Sequence, residues 1–75
     1  NLQLSIDAQG QFFFGKQAID ATGLQIRLQI EASKDPQPQL FIRGDKRVPY
    51  EFVAQAMSTA QRAGMQRIGF VTTQP

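Results

Sequence analysis

Three features in fixed order between residues 40 and 72 restrict the fold more than anything else in the chain. Leu40-Phe41-Ile42 is a continuous apolar run between a proline-containing stretch and the polar Arg43-Gly44-Asp45-Lys46 turn. It predicts a central strand over 40–43, buried on both faces. Val53, Ala56, Met57 and Ala60 then form one apolar stripe at helical spacing, with Gln55, Ser58, Thr59, Gln61 and Arg62 elsewhere. Pro49 suits the first helical position, Glu51 the first turn and Gly64 the stop, so a helix is predicted over 49–63. Ile68-Gly69-Phe70-Val71 predicts a second apolar strand over 67–72. Strand, helix and strand joined by short links make a βαβ unit, whose right-handed crossover sets the two strands parallel.

The N-terminal third reads as a hairpin. Leu2, Leu4 and Ile6 alternate with Gln3, Ser5 and Asp7, the period of a strand with one buried face. Asp7-Ala8-Gln9-Gly10 supplies turn chemistry, and Phe12-Phe13-Phe14 is the returning strand. Its rings cannot share one face: Phe12 and Phe14 point one way and Phe13 the other, into a second layer or a contact surface. Gly15-Lys16 marks another reversal before the short Gln17-Ala18-Ile19. From Asp20 to Ser33 the signals conflict. Leu24, Ile26, Leu28 and Ile30 alternate as in a strand, yet they also form two i,i+4 pairs that would lie almost opposite each other on a helix. Asp20 or Thr22 suits a helix cap, whereas Gly23 weakens a helix by about 1 kcal/mol relative to Ala. Periodicity alone favours strand here. Lys34 to Gln39, with Pro36 and Pro38, is a loop.

Composition excludes most chemistry. The 75 residues contain no Cys and no His, which removes thiolate nucleophiles, disulfides, the usual general base and the commonest metal ligands. The six acids, Asp7, Asp20, Glu31, Asp35, Asp45 and Glu51, stand isolated in turns, caps and solvated faces, so neither catalysis nor a metal or other cofactor is expected. A net charge of +2, with the basic residues scattered, does not suit nucleic acid. Gly10 to Lys16 fits G-x-x-x-x-G-K, but Gln17 replaces the required Ser or Thr, and the intervening residues read as strand. Arg43-Gly44-Asp45 is explained by a strand end followed by a turn rather than by an adhesion signal. One small domain over 1–75 is expected, starting at Asn1 as a processed or excised piece does. Its core offsets little more than roughly 1.5 kcal/mol of ordering entropy per residue, so a partner or a dimer helps it.

Asp45-Lys46-x-Val48-x-Tyr50 is the most informative stretch. Asp45 is expected to organise a strand-to-helix turn, Val48 to staple the start of the helix, and Tyr50 to pack on the core with its hydroxyl at the rim. With Phe41 to Arg43 before it, a helix ending Ala63-Gly64 and then Arg67-Ile68-Gly69-Phe70-Val71, this order resembles the C-terminal part of ExbD/TolR proteins. The match covers roughly residues 40 to 73, and the N-terminal part fits in outline. The final Thr72-Thr73-Gln74-Pro75 resembles TolR, and the Ile42-Arg43-Gly44-Asp45-Lys46 turn resembles ExbD, which is favoured.

The resemblance implies the periplasmic domain of a single-pass bacterial inner-membrane protein whose proton-carrying Asp lies in an anchor outside these residues. It implies a polytopic partner, ExbB or TolQ, in a motor that energises TonB or TolA. The family fold places a helix over 21–33, against the alternation. The expected fold is therefore α+β: a two-layer sandwich of a small mixed sheet, N-terminal hairpin plus parallel βαβ unit, with two helices on one face. Open sheet edges suggest a homodimer that captures an extended stretch of TonB for outer-membrane import, such as that of siderophores. Ile68, Phe70, Val71 and Phe13 are the candidate edge residues. The alternative is a TolR-like domain that binds peptidoglycan.

Overall fold

A computed structural model describes residues 1–72. Strands β1 (Leu2–Ile6), β2 (Phe12–Phe14) and β3 (Gln17–Ile19) precede helix α1 (Ala21–Ala32); β4 (Leu40–Gly44), helix α2 (Tyr50–Arg62) and β5 (Ile68–Thr72) follow. The sheet runs β3-β2-β1-β4-β5, antiparallel through the first three strands and parallel from β1 through β4 to β5. The α+β sandwich with a mixed sheet is thus as the sequence suggests. The N-terminal hairpin, however, is a three-stranded meander. Gly15, at φ +65°, takes the first position of a two-residue turn and brings Gln17–Ile19 back along β2.

Registered pairs put Leu4, Ile6, Phe12, Leu40 and Ile42 on one face, where they are buried with Leu24, Leu28, Val53, Ala56 and Ala60 of the helices. The opposite face carries Gln3, Ser5, Phe13, Phe41, Arg43 and Val71. Phe41 is therefore only half-buried, which corrects the expectation of a strand buried on both faces: both helices lie on the same side.

Segment 21–32 is helical because Asp20 caps it, its Oδ1 accepting the Gly23 N–H at 2.7 Å. The alternation has a different meaning from a strand's: Leu24 and Leu28 face the core, and Ile26 and Ile30 face out. In α2, Pro49 is the cap residue (ψ 140°) rather than the first helical one, and Tyr50 begins the helix. Its end is a full Schellman arrangement, with Gly64 at φ +101°, Gly64 N–H donating to Gln61 O and Met65 N–H to Ala60 O. Thr73, Gln74 and Pro75, the TolR-like ending, lie outside the described residues.

Candidate functional site

At the end of β4, Gly44 is buried because a Cβ there would stand 3.0 Å from Val48 Cγ1 and 3.7 Å from Val53 Cγ2. Those two valines occupy the positions just before the α2 cap and four residues into the helix, where apolar side chains close on each other and fix the angle of the incoming chain. Asp45 makes the turn between them. Its N–H donates to Ile6 O (3.0 Å), its carbonyl accepts from Val48 N–H (2.9 Å), and its Oδ1 accepts from Arg47 N–H (2.9 Å). That Arg47 amide, aided by the Arg47 guanidinium 3.5 Å away and by Lys46, holds the Asp45 carboxyl below its ordinary range.

The motif thus lies against the sheet edge. Gly44, Asp45, Lys46, Val48, Tyr50, Val53 and Phe70 surround one groove of about 390 Å³. Its lining is amphipathic: Val48, Val53 and Phe70 are apolar, whereas Asp45, Lys46 and the Tyr50 hydroxyl are polar. Tyr50 is 79% exposed, against the expectation that it packs on the core. The reason is its place: it starts α2 on the flank above β5, and β5 is the last strand of the sheet, so among the described residues no neighbour lies beyond for the ring to rest on.

The β5 edge supplies the backbone. Leu40 N–H donates to Arg67 O at 2.8 Å, and β4 and β5 are parallel with Leu40 opposite Ile68. Alternation then gives the backbone groups of Arg67, Gly69 and Val71 to β4 and turns those of Ile68 and Phe70 away from the sheet. Phe70 therefore offers an outward N–H and C=O and, 45% exposed, a ring at the groove. Of the other candidate edge residues, Ile68 packs against the core and Val71 sits on the opposite face. Phe13 is not at an edge, because β3 covers β2; it lies with Arg43 and Asp7 in a separate hollow on the open face.

One positioning residue escaped the sequence. Gln37 Nε2 donates to Ala32 O (3.1 Å) and Gly64 O (3.2 Å), and its Oε1 accepts from Gln66 N–H (2.7 Å) and Arg67 N–H (3.4 Å). A single side chain ties both helix ends to the start of β5. Between two prolines it reads as loop, and no local pattern marks it.

Five strands in a mixed sheet, helices on one face only, and a groove beside a parallel edge that no described strand covers define an open-edged α+β domain. Among the described residues no helix is long and apolar enough to cross a membrane. The family model described as "Biopolymer transport protein ExbD/TolR" matches residues 1–74. ExbD of Neisseria gonorrhoeae is 32% identical over 74 residues, 95% of this chain and 51% of that protein; ExbD of Pseudomonas aeruginosa is 34% identical over 71 residues, 95% and 53%. The Tol-Pal system protein TolR of Pseudomonas aeruginosa is 34% identical over 85 residues, 99% and 58%. The chain belongs to the ExbD/TolR family, which is transport-associated and non-enzymatic, and it spans about half the length of the relatives it matches.

Proposed function

We propose that residues 1–75 are the periplasmic domain of an ExbD-like subunit in a proton-driven motor with ExbB, and that the domain passes motion to TonB by taking an extended TonB stretch onto β5. The observation that carries this reading is the union of the family motif and the Phe70 edge in one groove. A strand added beside Ile68 and Phe70 hydrogen-bonds to their outward groups, and every second side chain of that strand falls on the groove side. Chain direction is set by the backbone, and selectivity by what fits between Val48, Tyr50 and Phe70. Outer-membrane import, of siderophores for example, is the process served.

Titration of the labelled domain with a TonB periplasmic peptide tests this. Amide shifts at Ile68 to Val71 and Lys46 to Tyr50 are expected, with Phe70→Ala weakening binding by about tenfold at a folding cost of about 1 kcal/mol for a half-exposed ring. Unshifted β5 amides at high peptide excess reject it. The TolR match over 99% of the chain favours one second reading, a Tol-Pal domain working with TolQ and TolA that binds peptidoglycan. Pelleting with purified sacculi, without response to the TonB peptide, selects that reading.

A further inference from the structure

The β5 groove carries more positive charge than its own acid balances. Asp45 is the one acid among the described residues that line it, and two cations attend that carboxylate. Arg47 donates its N–H to Asp45 Oδ1 at 2.9 Å and holds its guanidinium 3.5 Å away, and Lys46 is the next residue of the turn. One carboxylate against two cations leaves the rim with one positive charge in excess. Lys46 carries it: the side chain is exposed, lines the groove, and makes no ion pair among the described residues. The strand beside it adds to the imbalance. From Ala63 to Thr72 the chain holds Arg67 and no Asp or Glu. Arg67 Nη1 donates to Gln37 O at 3.3 Å, a neutral partner, and Arg43 on β4 likewise makes no ion pair among the described residues. A polypeptide laid along β5 therefore lies among unpaired cations, which attract an acidic chain and repel a basic one, most strongly at low salt.

The strand register says where the carboxylate belongs. On the helix side of the sheet Phe70 lies opposite Ile42, and Thr72 opposite Gly44. Val48 stands over Gly44, with Cγ1 3.0 Å from where a Gly44 Cβ would be, so the turn that carries Lys46 lies at the Thr72 end of β5. A strand added to β5 puts one side chain beside Phe70, among the apolar part of the lining. Its next side chain on that side comes two residues along, about 6.6 Å nearer the turn. There the apolar lining gives way to the polar end, and the flexible four-carbon stem of Lys46 brings its ammonium to whatever side chain arrives. In a parallel added strand that residue follows the apolar one; in an antiparallel strand it precedes it.

We propose that the β5 groove selects an acidic extended peptide, in which an apolar side chain lies beside Phe70 and, two residues away on the same side, an Asp or Glu gives its carboxylate to Lys46. The proposal rests on strand addition at β5 and adds which residue of the incoming strand is read, and by what.

Short Ser/Thr peptides with a central Val test it on the 75-residue chain. They carry Glu two residues before or two residues after the Val, with Gln and Lys versions of each; amide shifts locate the binding and fluorescence anisotropy measures it. One of the two Glu orders is expected to bind about threefold to fivefold tighter than its Gln version, the range of one exposed ion pair, with the advantage shrinking in high salt. The order that wins reports the direction of the added strand. Lys46→Glu, an exposed change whose fold the amide spectrum checks, is expected to invert the ranking, so that the Lys peptide binds tighter than the Glu peptide. A Glu moved by one position falls on the other side of the added strand and is expected to respond little to Lys46→Glu. Peptides that shift the Ile68 to Val71 amides but bind equally with Glu, Gln or Lys, or whose ranking survives Lys46→Glu, overturn the charge selection and leave strand addition standing. Peptides that shift no β5 amide at high excess overturn both.

Discussion

Glu31 is the one buried acid among the described residues, 5% exposed at the end of α1, where Lys34 approaches to 3.0 Å and Arg27 to 3.4 Å. The Lys34 hydrogen bond, opposed by burial and helped by Arg27, holds its carboxyl below the usual 4.5. The unfolded chain consequently takes up the proton first. Glu31 contributes stability that is whole above about pH 4.5 and is lost as pH falls towards the lower folded value. Urea midpoints measured between pH 7 and pH 3 are expected to fall in acid, and to fall less in Glu31→Gln. Gly10 is a second critical residue: its φ is +86°, and a Cβ there would meet the Phe52 ring at 2.7 Å. Gly10→Ala is expected to cost about 2 kcal/mol, from strain and overpacking together, in a denaturant titration. The need for Gly10 was legible as turn chemistry. The ring beneath it was not, because Phe52 comes from α2, 42 residues further along the chain.

Among the elements, α1 shows why periodicity failed. A pattern of Leu24, Ile26, Leu28 and Ile30 serves a strand with one buried face or a helix with apolar residues on two sides, and the local sequence does not separate them. The Asp20 cap and the packing of Leu24 and Leu28 against the sheet decide for the helix, and Ile26 and Ile30 are what remains outside. α2 was legible nearly to the residue because its apolar stripe has one side only and a glycine stop. The groove was half legible: the Asp45 turn and Phe70 stand out as residue types, but their meeting depends on β5 being the last strand. β5 is also the element most dependent on one side chain. Gln37→Ala removes four hydrogen bonds to the helix ends and the chain leading into β5. Amide exchange in β5 is expected to quicken by about tenfold or more, while β1 and β2 follow only the global change.

For the molecule as a whole, the core is a single cluster shared by the sheet and both helices, so its members stand or fall together. Leu4, fully buried on β1, touches both halves through its pairs with Phe14 and Ile42. Leu4→Ala is expected to cost about 3 kcal/mol, and, with so small a core, to lower the thermal midpoint markedly in a calorimetric scan while unfolding remains one transition. The strand order has a kinetic consequence as well. Leu2 pairs with Leu40, so the centre of the sheet closes only when β4 is brought back across the meander and α1 that separate it from β1 in sequence. Local contacts reward the chain early on each side of that seam, and the loop entropy that must be overcome to join them falls on one late step. A nascent chain that stops short of α2 lacks Val53, Ala56 and Ala60 of the shared core, so the domain acquires its fold only once α2 as well as β4 has emerged, and not by degrees.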